Sequence, residues 1–161
     1  MAYQKLQAYR AIPVIPSDVV NIPNPAAGQI TGTTTATTTN KLVNSAAKFL
    51  TSVPPGELIR VGFTVVNTPD NTTATVSAVD SETTLSLSAD IMASGESYII
   101  YGEATSEGCV LYCGTAGNIN VVTAGGDQIT FSGVNTGAFV PVQVLRVNST
   151  GTSASNIVAL W

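Results

Sequence analysis

Apolar residues in this chain alternate with polar ones, and almost nowhere do they recur at the three-to-four-residue interval of a helix. Alternation is what a strand with one buried face requires, because successive side chains point to opposite sides of the pleat. "TATVSAVD" (73–80) and "TTLSLSAD" (83–90) alternate on either side of a short Ser-Glu connection and read as a hairpin. "NINVVTAGGDQITFSGV" reads as a second hairpin, turning at Gly125-Gly126-Asp127. "AFVPVQVLRVN" (138–148) is a long strand whose early proline makes it an edge or a bulged strand at that point. "NIVALW" (156–161) is a terminal strand whose apolar residues need a docking site. The best helical candidate, "NKLVNSAAKFL" (40–50), is short. Many short strands with Gly-rich turns predict an all-β sandwich or barrel.

The length of 161 residues allows one ordinary domain or two small ones. Composition shifts at a Pro-rich joint, "NIPNPAAG" (21–28), and at a polar joint, "YGEATSEG" (101–108). The Thr-rich block between them has its own apolar set: Leu42, Phe49, Leu58, Val61, Phe63, Val65, Val76, Val79, Leu85, Leu87, Tyr98 and Ile100. That is enough for a small barrel. "YRAIPVIPSDVVNIP" (9–23) is extended and apolar, and is expected to pack with 108–161.

Charge is the informative number. Only 10% of residues are charged, against roughly 25% in an average globular chain, and the net charge is −4. The six basic residues, Lys5, Arg10, Lys41, Lys48, Arg60 and Arg146, are scattered, which argues against nucleic acid as a partner. A low-charge, Thr-rich, β-prone surface has few charges to keep neighbouring chains apart, and so points to an assembly or to covered edges. A solvated Thr-rich monomer is the alternative. No run approaches the roughly 20 apolar residues of a membrane helix, so no membrane partner is expected.

"GCVLYCGTAGNINVVTAGGDQITF" (108–131) is where chemistry would be sought first, since it holds both cysteines, Cys109 and Cys113, and a Gly-rich turn. Residues four apart in a strand share a face but lie about 13 Å apart. A disulfide needs roughly 4.4–6.8 Å between Cα atoms. The two thiols are therefore expected to be small buried groups flanking Leu111, with an inter-chain disulfide as the alternative. The chain has no histidine and no other cysteine, so a zinc site and a Ser–His or Cys–His nucleophile are not expected. "GTAG" (114–117) reads as a tight turn, because a strand follows it where a phosphate-binding loop would need a helix. A Ser–Lys pair finds no apt motif around Lys5, Lys41 or Lys48. Asp80 with Glu82, and Glu103 with Glu107, are the only nearby carboxylate pairs weighed for acid–base work. "DSE" (80–82) is too sparse for a calcium loop. No cofactor, metal site or enzyme activity is expected.

The segment 111–161 resembles the C-terminal part of the head spike-base and capsid-decoration proteins of tailed phages and gene transfer agents. That family reads "LYVGTAG", then a hairpin, then "G(T/S)FLPVxVxRVxATGTTAT" and a terminal "IVALW". The matching residues here are Leu111–Gly117, Gly137–Val147, Thr150–Ala154 and Ile157–Trp161. "IPVIPSDVVNIP" (12–23) is similar to the family's upstream "AVxPSDxxxLP". In the family the two pieces are near neighbours, and here residues 24–106 stand between them. The block itself is similar to small β modules of phage structural proteins, with Phe63 where those usually carry an acid.

The resemblance implies a virion structural protein on the phage head, without catalytic residues. It would decorate or cement the capsid, or form the base of a head spike. Implied partners are copies of itself, commonly as a homotrimer, the major capsid protein, and fibre proteins. A tail or fibre adaptor is a second reading. A carbohydrate-binding module using Tyr98, Tyr101, Tyr112 and Trp161 is a third. The expected architecture is a β-sandwich or barrel base domain from 1–23 plus 107–161, with 24–106 as an inserted β-barrel-like domain. The N-terminal arm, Ala2–Pro23, is expected to reach a neighbouring copy, or else to lie as a strand in its own domain over Ile12–Ile22.

Overall fold

The computed structural model describes residues 8–25, 29–51, 58–102 and 108–161. Those residues are all-β, with twelve strands in two six-stranded sheets. The chain divides into two compact units, Met1–Ile22 with Thr105–Trp161, and Pro23–Ala104.

In the first unit β1 (Ala11–Pro13), β8 (Cys109–Thr115), β9 (Gly117–Thr123), β10 (Gln128–Val134), β11 (Phe139–Val147) and β12 (Ser155–Leu160) form one antiparallel sheet ordered β1-β12-β8-β11-β9-β10. Val144 of β11 faces Cys109 on one side and Thr123 on the other. β8 and β9 are separated by Ala116 alone and both run antiparallel to β11. They are therefore one strand that curls round and returns to β11. The core lies inside the curl: Leu111, Cys113, Ile119, Val121, Val144 and Ala159 are fully buried.

That curl corrects the expectation of a tight turn at "GTAG". The chain does not reverse there. A Cβ on Gly114 would lie 2.4 Å from the Asn156 carbonyl oxygen, and one on Gly117 would lie 2.4 Å from the Ala154 nitrogen. The glycines are present because the chain entering β12 passes directly over them.

Pro141 sits where the β11–β8 register slips between Val140 and Val144, and β9 joins β11 only from Val144 onward. The missing N–H therefore falls in a bulge of an otherwise central strand. At the C-terminus, β12 lies between β8 and β1. The Trp161 carbonyl accepts the Tyr9 N–H at 2.7 Å, and the Trp161 N–H donates to the Arg10 carbonyl at 3.1 Å.

The N-terminal segment stays on its own unit. Val14 N–H donates to the Ile157 carbonyl, Ser17 N–H to Val147 and Ile22 N–H to Leu145, and Val20 and Ile22 are buried. Residues 8–22 are thus not available as an arm for a neighbouring copy. Residues 2–7 of the expected arm lie outside the described residues.

The second unit contains β2 (Gln29–Thr33), β3 (Lys41–Val43), β4 (Thr64–Asn67), β5 (Thr72–Ser81), β6 (Thr84–Leu87) and β7 (Ser97–Tyr101), ordered β2-β7-β4-β5-β6-β3. β5 is bent by register shifts at Val76/Ala78 and Val79/Ser81. Beyond β2 the chain bridges Ala36 to Val43 of β3, which brings the two ends of the sheet together as a small barrel. Phe49, Phe63, Val65, Leu85, Tyr98 and Ile100 fill it.

The short helical candidate over 40–50 is a strand followed by turns. Leu42 pairs with Leu85 in β3, and turns follow, fixed by Asn44: its carbonyl accepts the Ala47 N–H and its Oδ1 the Ala46 N–H. Leu42 and Phe49 reach the core from a strand and a turn, so their spacing mimics a helix. Leu58 and Val61, expected inside, are 51% and 61% exposed, while Ile59 between them is buried. They belong to an irregular stretch before β4, where alternation does not apply.

Gly117→Ala is expected to destabilise the first unit by about 2 kcal/mol through overpacking against backbone. The lone tryptophan, Trp161, lies in that unit and reports its unfolding in urea. Gly125→Ala would meet only the Asp127 and Thr123 side-chain oxygens, at 3.5 and 3.7 Å. It should stay within about 0.5 kcal/mol of the parent.

Candidate interaction surfaces

The two cysteines are free and buried on the core face of β8, with Leu111 between them. The Cys109 thiol donates to the Val144 carbonyl at 3.3 Å, and the Cys113 thiol to the Thr115 carbonyl at 3.2 Å. Burial pushes the Cys109 thiol up to about 12, so almost no thiolate exists there at neutral pH.

The carboxylates weighed for acid–base chemistry have structural partners. Asp80 accepts from Lys41 Nζ and from Ser86 Oγ, each at 2.8 Å, and the Lys41 hydrogen bond is the main reason its carboxyl lies below the usual value. Glu82 accepts the Leu50 N–H at 3.0 Å and so holds the turn beyond β3. Lys5, Glu103 and Glu107 lie outside the described residues.

A second acidic group was not singled out from the sequence. Asp70, Asp90 and Glu96 line a shallow depression of about 310 Å³ in the second unit, beside Thr37 and Thr72. Each carboxylate is tied to nearby chain. Asp90 Oδ1 accepts the Asn40 N–H at 2.9 Å, and Glu96 Oε2 accepts the Ala93 N–H at 2.5 Å. Asn67, fully buried, donates through Nδ2 to the Ile91 carbonyl at 2.6 Å, to Glu96 at 2.8 Å and to Asp70 at 3.5 Å. Among the described residues no cluster of three or more His, Cys, Asp or Glu is placed to hold a metal ion. The depression is held together by turn-forming contacts.

Asp18 has a similar anchoring role in the first unit. Its carboxylate accepts the Thr150 N–H at 2.9 Å and the hydroxyls of Ser149 and Thr150 at 2.8 Å. Ser17 Oγ accepts the N–H groups of Val19 and Val20 and turns the chain just before. This ties "PSD" to "STGT", two stretches far apart in sequence.

Of the aromatics weighed for a sugar-binding face, Tyr98 and Tyr101 are buried, and Asn44 Nδ2 donates to the Tyr98 hydroxyl at 2.8 Å. Trp161 is half-buried against the core of the first unit. Tyr112 is different. Cross-strand register places Pro13, Val158, Tyr112 and Phe139 opposite one another in a single row across β1, β12, β8 and β11. The next row on the core face is Ile12, Ala159, Leu111 and Val140, so the Tyr112 row lies on the opposite face.

Ala11, Leu160 and Val110 share that outer face two positions along each strand. Phe139 is 59% exposed, and its ring meets Tyr112 edge-on with centroids 5.5 Å apart. Across β1, β12, β8 and the start of β11 the sheet is thus apolar on both sides, and the outer side carries no charge in this row. A reading of alternation alone misses such a face. The signal was the near-continuous apolar run in "CVLYC" and "NIVALW".

Asp18 gives a pH test. Its carboxyl lies below the usual 3.8, chiefly through the Thr150 N–H and then the Ser149 hydroxyl. The resulting stabilisation is complete above the ordinary carboxylate value and is lost as pH falls through the lowered one. Side-chain NMR should place the Asp18 midpoint below 3.8, and Asp18→Asn should remove that component of acid sensitivity. Thiol labelling is a second test. Neither cysteine should react at pH 8 faster than the first unit unfolds.

No family model, curated protein or solved structure matches this chain.

Proposed function

We propose that this chain is a structural protein of a tailed-phage virion, attached to the head as a decoration or spike-base protein and working through contacts with copies of itself and with the major capsid protein. The observation that carries this reading is the outer face of the first unit: Pro13, Val158, Tyr112 and Phe139 form an uncharged apolar row on a sheet whose other side is already the core. Apolar surface gains by leaving water, and an open sheet face without a cleft suits another protein surface better than a small molecule. The sequence resemblance over 111–161 supplies the kind of partner.

A specific interface buries about 1,600 Å² in total. Each copy's contact with a shell can be weak when linked copies bind together. Reinforcement of a shell is mechanical, and it needs stiffness and fit more than reactive groups. The curled sheet, held by continuous backbone pairing from β1 to β10, meets that need.

Gold-labelled antibody against the chain, applied to particles from the culture that produces it, tests the reading. Label on heads is expected. Label confined to tails favours the adaptor reading, and unlabelled particles overturn both. Phe139→Glu should reduce binding to emptied heads at least tenfold while leaving the unfolding free energy in urea within about 1 kcal/mol, because the ring is largely exposed in the isolated chain.

A further inference from the structure

The two edges of the first unit's sheet are unlike. One edge is β1, three residues long and ending in Pro13, the kind of edge that resists pairing with another strand. The other is β10, "QITFSGV", seven residues without a proline or a charge. In the second unit, the Ala36–Val43 bridge brings the sheet's ends together.

Hydrogen bonding shows which β10 groups face outward. Thr123 N–H donates to the Asp127 carbonyl at the hairpin end, and β9 and β10 stay in step from there to Ile119 and Phe131. In such a ladder, bonded and non-bonded pairs alternate, so Ile129 and Phe131 bond to β9, and Gln128 and Thr130 do not. Asn120 agrees with this. It lies opposite Thr130, yet its N–H goes to Thr152 Oγ1 and its carbonyl accepts from Asn148 N–H. Asn118, one step further on, accepts at its carbonyl from Ser153 and Ala154 and donates its N–H to Ser153 Oγ. The backbone N–H and C=O of Gln128, Thr130 and Ser132 therefore point off the edge.

Two side chains are also left half-covered. Ile129 and Phe131 lie opposite Val121 and Ile119, on the core face. Ile129 is nevertheless 48% exposed, and Phe131 is only half-buried, although it packs against the core. The sheet ends at β10, and among the described residues no strand lies beyond it to cover these two.

We propose that β10 pairs antiparallel with β10 of a second copy about a two-fold axis through Thr130. Thr130 then faces its own counterpart, Gln128 faces Ser132, and about six backbone hydrogen bonds close. Ile129 packs on the partner copy's Phe131, and the reverse, which covers both side chains. Charge selects this arrangement. Asp127, at one end of β10, lands about 20 Å from its counterpart when the strands are antiparallel, whereas parallel pairing would set the two carboxylates side by side. A two-fold contact closes on itself and gives an even-numbered assembly where the resemblance implies a trimer. The proposal rests on the sheet edge alone and does not need the capsid reading.

Engineered cysteines test it. Across a bonded antiparallel pair the Cα atoms are about 5.5 Å apart, inside the roughly 4.4–6.8 Å a disulfide spans. Thr130→Cys should oxidise to a covalent dimer, while Gln128→Cys, displaced about 13 Å along the strand from its counterpart, should not. The native thiols are buried and do not compete. Light scattering on the unmodified chain should give twice 16.5 kDa or an even multiple. Thr130→Pro removes the outward N–H, together with the Asn120 Nδ2 hydrogen bond to Thr130 Oγ1, and should give a folded monomer whose melting midpoint no longer depends on protein concentration. A monomeric or trimeric parent whose Thr130→Cys variant does not cross-link overturns the proposal, as does Gln128→Cys cross-linking equally fast.

Discussion

Everything in the first unit depends on the close crossing of the chain entering β12 over Gly114 and Gly117. That contact lets β8 and β9 act as a single strand that curls back to β11, and the curl creates an inside. A side chain at either glycine would push the crossing segment away and open the core that Leu111, Ile119 and Val144 fill. The second unit solves the same problem differently. It bends β5 with two register shifts and joins its ends by a backbone bridge. In both units a short chain with few charges obtains a core by rolling one sheet, and no second layer of helices is needed.

Polar residues in these units tie segments together. Asp18 fastens the N-terminal stretch to Ser149 and Thr150, Asn67 gathers Ile91, Glu96 and Asp70, and Asn44 both shapes a turn and donates to the Tyr98 hydroxyl. The contacts are charge-assisted or buried, the kinds that lose most when one partner is removed. They also account for the carboxylates: Asp80, Glu82, Asp90 and Glu96 each hold a turn or a neighbouring strand.

The strands and their hairpins were legible because alternation and Gly-Gly-Asp punctuation are local signals. Cys109 and Cys113 could be placed on one buried face for the same reason. What escaped was set by distant chain. "GTAG" looks like any turn until the chain entering β12 is laid over it. Leu42 and Phe49 share helical spacing but reach the barrel from a strand and a turn. Leu58 and Val61 lie where no strand imposes a period. The apolar row through Phe139 and Tyr112 exists only once β1, β12, β8 and β11 stand side by side, and no window of sequence contains all four.

The first unit takes its sheet from two stretches far apart in the sequence, β1 and β8–β12, and the pairs nearest residue 161 include Leu160 and Trp161. During synthesis, then, Pro23–Ala104 has all its strands available while the first unit still lacks its own. The stretch 8–22 must wait, unpaired, until residues 145–161 leave the ribosome, because its hydrogen-bond partners lie at Leu145–Val147 and Ile157–Trp161. Units of a chain fold as they emerge, so the middle unit is complete first. Completion of the first unit is gated by β12, and a product that stops before that strand would carry a finished second unit and a first sheet with nothing for β1 to pair with.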